Sequence, residues 1–125
     1  MSRLARIILN GTRTDDELDP MTIDLVLDND HRVIQKFATM GWWGSLARGS
    51  DLEPFVFLPD GRLDFGTGWD DAEERYAGTN ILSKRIAPNE YVTVTNSEGH
   101  HCFVVKQVLW FDELPLQRSG AGIAA

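Results

Sequence analysis

The chain has a single cysteine, Cys102. That excludes an internal disulfide and leaves no pair of thiols at a zinc-ligand spacing; it fits a reducing compartment. Long apolar runs are also missing, and none approaches the roughly 20 residues that cross a bilayer. The basic, apolar start from Arg3 to Leu9 is too short for the core of a secretion signal, and Asn10 and Gly11 follow it without a small-residue cleavage site. A soluble, cytoplasmic protein with no membrane partner is expected.

Basic residues are scarce. Lys and Arg number 12 against 19 Asp and Glu, for a net charge of −7. Such a balance argues against nucleic acid or an anionic membrane as the main partner. Between Arg13 and Arg32 there is no base, while Asp15, Asp16, Glu17, Asp19, Asp24, Asp28 and Asp30 fall there. The plain reading is a solvated loop and a polar strand face; the functional one is an acidic face that draws a basic protein partner. Phosphate-binding loop, dinucleotide fingerprint and nucleophile elbow are all lacking. No cofactor is expected, and no catalytic residue is assigned.

What is present is strand pattern. Val92 and Val94 alternate with Tyr91, Thr93 and Thr95, Gly99 closes a polar turn, and Cys102 to Trp110 returns apolar on both faces. Phe55 to Leu58 and Arg62 to Phe65 flank Pro59, Asp60 and Gly61, a strong hairpin signal. Leu4 to Leu9 is a further strand. Asn80 to Ile86 is expected as another, and the acids of Trp69 to Tyr76 suit the start of a helical turn or two, which Gly78 would stop.

Residues 21–40 have two readings. As a hairpin, Ile23, Leu25 and Leu27 share a face, Asp28 to His31 turns, and Val33, Gln35 and Phe37 return. As a helix, Asp19 caps, Pro20 sits in the first turn, and Ile23, Leu27, Ile34 and Phe37 form a stripe. The β-branched content and the Asp28-Asn29-Asp30 run favour the hairpin. About seven short strands with tight turns then make a mostly β single domain, a small, partly open barrel or sandwich with at most one or two short helices. The alternative is an α+β fold with a helix at 20–40. Thr79 to Val108 resembles an SH3-like barrel in the rhythm of its strands. The domain is expected over 1–116, with 117–125 a disordered tail.

Candidate sites are few. His100 and Cys102 would share one strand face and His101 the other, so these residues do not complete a metal site or a nucleophilic pair, and the thiol reads as core. Asp28, Asn29 and Asp30 start like a calcium loop but lack its later glycine and glutamate. No metal is expected. The tryptophans are more informative. Trp42, Trp43 and Trp69 lie beside glycines in what read as connecting segments, where they form either a satellite core or an aromatic-lined groove. With Asp70, Asp71, Glu73 and Tyr76 they are the candidate binding residues.

Three functions follow as expectations. The first is a non-enzymatic, acidic protein-binding module of the inhibitor or immunity type. The second is a small-ligand binder or enzyme built on the Trp and acidic loops. The third is a subunit of an assembly, a homo-oligomer included, joined through exposed sheet edges.

Overall fold

Alternation of apolar and polar residues sets the architecture. In β1 (Arg3–Gly11) the side chains of Ala5, Ile7 and Leu9 are buried; in β2 (Met21–Leu27) those of Met21, Ile23, Leu25 and Leu27 are. The two strands pair antiparallel with Ile7 opposite Ile23. Arg6 and Asp24, one residue over, therefore meet on the other face, with Arg6 Nε 2.8 Å from Asp24 Oδ1. The remaining strands are β3 (Thr39–Trp43), β4 (Glu53–Phe57), β5 (Arg62–Thr67), β6 (Glu74–Thr79), β7 (Tyr91–Asn96) and β8 (Gly99–Trp110). Each pairs antiparallel with the next, and β8 pairs with β1, so the sheet closes into an eight-stranded barrel in simple sequence order. The computed structural model describes residues 2–12, 18–34, 36–67 and 74–113.

The core lies inside this barrel. Phe57, Leu63, Val92, Val94 and Phe103 have no exposed surface, and Ile81 and Ile86 are also fully buried. Each such aliphatic or aromatic side chain contributes about 1.5–3 kcal/mol through its burial. The outer face carries Arg6, Asp24, Arg62 and Lys106, while the buried apolar set points in. Among the described residues no helix is long and apolar enough to cross a membrane.

β8 must satisfy two neighbours, and it does so with a bulge. Ile8 faces Gln107 while Leu9 faces Val105, which leaves Lys106 without an opposite residue. The inward positions change parity there, from Phe103 and Val105 to Val108 and Trp110.

The mostly β single domain is as expected, and the barrel is closed, not partly open or a sandwich. Among the described residues of 20–40 no helix forms: β2 is a strand, and the described helical segments are 3-10 turns of 3 residues each. Asp28 Oδ1 accepts from the backbone of Asp30 and Arg32, fixing the turn that ends β2. The return arm differs from the expected one. Val33 makes only an isolated bridge to Leu27, Phe37 is exposed, and the strand that pairs with β2 is Thr39–Trp43; Gln35 lies outside the described residues. Trp42 and Trp43 are thus strand residues, not parts of a connection.

Three more expectations are corrected. Ile81–Ser83 is a 3-10 turn where a strand was expected, because Asn80 Oδ1 takes the amide of Thr93 and Ser83 Oγ donates to the Asn80 carbonyl. Arg75, Tyr76 and Gly78 belong to strand β6 instead of a helical turn and its stop; residues 68–73 lie outside the described residues. Cys102 is exposed and not core, since Phe103 and Val105 claim the inward positions of β8 and leave the thiol outside. Asn10 and Gly11, residue types that favour a tight turn, continue β1 against Val104 and Phe103. The expected tail at 117–125 also lies outside the described residues.

Backbone packing is close at Gly41. The Phe55 ring lies over its backbone, and a Cβ there would sit 2.6 Å from Phe55 Cζ and closer still to the Thr22 carbonyl oxygen. Gly41→Ala is expected to destabilise the fold by about 1–3 kcal/mol or more, read as a fall in the denaturation midpoint at unchanged m-value.

Candidate functional site

The alternation that fills the core also decides what stands at each end of the barrel. At one end Ile81, Ile86 and Trp110 close the interior. Arg3 stacks over Trp110 at 4.2 Å, the edge of His31 meets it at 5.3 Å, and Arg3 binds Asp112 and Glu113 at 2.7 Å each. The Arg3 guanidinium holds the Asp112 carboxyl below its usual range. Stability from this pair is present above the ordinary carboxylate pKa and is lost as pH falls through the lowered value, and it is small because the pair is exposed.

The other end is open. Trp43, the last residue of β3, points inward. Its Nε1 donates to the Asp19 carbonyl at 3.0 Å, and its ring packs at 5.4 Å from His101, 5.7 Å from Phe103 and 6.4 Å from Phe65. Phe65 in turn packs on Phe55 at 5.3 Å. A bulge sets the Phe65 segment: β5 loses register with β6 between Asp64 and Thr67, where Gly66 takes φ 77° and its amide is held by Asp64 Oδ1. Above this aromatic floor is a cleft of about 390 Å³ lined by Trp43, Phe65, Glu53, Arg75, Asn96 and Glu98, among others. A second part of about 290 Å³ shares Trp43, Glu53, Asn96 and Glu98 and adds Leu18, Asp19, Asp51 and His101.

Polar groups in the cleft are held in place. Asn96 Oδ1 binds the Glu98 amide at 2.9 Å and His101 Nε2 at 3.0 Å, which shapes the β7–β8 turn and fixes the His101 ring. Arg75 reaches Glu53 at 3.5 Å. Among the described residues no three His, Cys, Asp or Glu side chains converge as metal ligands do.

The proposed binding residues are divided by this geometry. Trp43 forms the floor of the cleft. Trp42, one residue earlier on the same strand, takes the outer face, where Arg6 lies 5.1 Å from its ring. Tyr76 borders the cleft but alternates outward, beneath the Arg62 guanidinium at 4.4 Å. Trp69, Asp70, Asp71 and Glu73 lie outside the described residues. Sequence reading missed Phe65, Asn96, Glu98 and His101 as site residues. The available signal was strand parity: with Phe103 inward, His101 is inward too, one step nearer the turn. No protein-family model, curated protein or solved structure matches the chain.

The two adjacent indoles are expected to behave differently. Trp43→Ala removes packing against Phe65, His101 and Phe103 and should cost about 2–4 kcal/mol. Trp42→Ala gives up a partly exposed ring and a cation–π contact and should cost about 1 kcal/mol. Urea denaturation of both variants measures the difference; equal losses would contradict the opposite orientations.

Proposed function

We propose that this protein is a binder of small molecules and that its ligand sits in the mouth of the barrel, over Trp43. One observation carries the reading: a cleft with an aromatic floor of Trp43 and Phe65, the hydrogen-bonded pair Asn96 and His101, and the exposed ion pair Arg75 and Glu53, above a filled core. Eight-stranded barrels have room for one small ligand at most, and barrel mouths are recurrent ligand sites. With Phe55, Phe103 and Leu63 packed below, the ligand is held at the rim and not in a deep interior cavity. Rigid strands carry most of the polar side chains, so little order has to be gained on binding.

A protein contact is the second reading, and the outer face favours it. Met40, Leu46 and Leu52 are exposed near Trp42 and Pro54, with relative exposures of 63%, 76% and 41%. Contiguous exposed apolar surface of this kind marks interaction sites. The acidic balance of the chain suits a basic partner. Assembly of copies through sheet edges has less support, because among the described residues every strand has a paired neighbour on both sides.

The test is a titration of the isotope-labelled protein with a set of small amines, carboxylates and neutral polar fragments, followed by amide and indole NMR. Saturable shifts at Trp43 Nε1, Asn96, Glu98 and His101, with the Trp42 indole unmoved, are expected. Shifts confined to Trp42, Leu46 and Leu52 would place binding on the outer face, and the absence of saturable shifts at the mouth with every fragment would overturn the ligand reading.

A further inference from the structure

The two parts of the cleft differ in charge. In the part bordered by Arg75, that side chain is engaged by Glu53 and by the Phe65 carbonyl at 3.4 Å. The other part is lined by Asp19, Asp51, Glu53 and Glu98 and, among the described residues, by no Arg or Lys. Arg48 comes near from outside, donating to the Leu18 carbonyl. Trp43 forms a wall of both parts. An indole face is the best aromatic partner for a cation. The carboxylates are also spread around the pocket, without the convergence that a metal ion needs.

We propose that the mouth selects a small organic cation, a protonated amine or quaternary ammonium compound carrying an apolar group. This rests on the ligand-binding reading above and adds the sign of the charge. The ammonium lies in the part lined by Asp19, Asp51 and Glu98, against the Trp43 indole. The apolar group lies toward Phe65 and Ala77. Dispersed carboxylates suit such a ligand better than a compact ion: a bulky ammonium spreads its charge and keeps each acid partly hydrated, so no buried pair has to be desolvated. Among the described lining residues the only base is Arg75, which Glu53 already engages, so an anion meets mostly carboxylates there.

Three probes of matched shape separate the charge from the site. They are 2-phenylethylammonium, neutral 2-phenylethanol and anionic phenylacetate, each titrated at neutral pH with NMR of the Trp43 indole and the Asn96 and Glu98 amides. The ammonium is expected to bind about three- to tenfold more tightly than the alcohol, and phenylacetate more weakly than either. The preference should shrink as salt is raised. Glu98→Gln and Asp51→Asn alter exposed side chains and should leave stability nearly unchanged. Together they should reduce ammonium binding severalfold while leaving the alcohol unaffected. Equal binding of all three probes at the mouth, or tighter binding of phenylacetate, would overturn the cation preference and leave the ligand site standing. Failure of all three to shift the mouth resonances would remove both.

Discussion

Closure of the sheet by β1 against β8 is the constraint on which the rest of the molecule depends. The two strands run side by side from Ala5 opposite Trp110 to Gly11 opposite Phe103. Without that seam the first and last strands would be open edges, and the apolar face made by Ala5, Ile7, Leu9, Phe103 and Val105 would have nothing to enclose. The seam spans the whole described length of the domain in sequence, so its loop-closure cost is met only once the intervening strands are in place. The bulge at Lys106 lets one strand serve both neighbours. It keeps Phe103 and Val105 inward against β7 and brings Val108 and Trp110 inward farther on, where β1 needs them.

The two ends follow from this interior. Side chains in a closed barrel converge on its axis, and a ring of alternate positions at each end must either plug the opening or line it. Ile81, Ile86 and Trp110 plug one end. At the other, Trp43 and Phe65 cover Phe55 and Phe103 but leave space above, and the next inward or turn positions are polar: Glu53, Arg75, Asn96 and Glu98. The cleft is therefore a consequence of where apolar filling stops along each strand. Its acidity on one side comes from the chain turns that reach that end, at Asp19, Asp51 and Glu98. The same strand β3 contributes to two surfaces. Trp43 belongs to the mouth, and Trp42 belongs to an outer face with Arg6, Leu46 and Leu52 around it. The proposed ligand site and the protein-contact reading thus fall on separate surfaces of this molecule.

Much of the strand pattern was legible in the chain. Alternating Ile23, Leu25 and Leu27, the pair Val92 and Val94, and the Asp60-Gly61 turn each specify structure by local rules of period and backbone freedom. Strand parity even placed His101 opposite Cys102 in orientation. Local rules failed where a residue answers to a distant partner. Asn10 and Gly11 carry a turn signal but extend β1, because β8 supplies hydrogen-bonding partners there. Residues 80–86 look like a strand but turn, because Asn80 is tied to Thr93.

The sequence by itself determined that this is an acidic, mostly β domain with an apolar set of alternate residues and no recognised catalytic or metal motif. Only the tertiary structure decided that the sheet closes, that Trp42 and Trp43 part to opposite faces, and that Trp43, Phe65, Asn96, Glu98 and His101 gather at one mouth. The physical reason is that period and propensity act within a few residues, whereas closure and register are set by which of two faces must be buried along every strand at once. A single-residue shift in that choice would exchange the floor of the cleft for its outer wall.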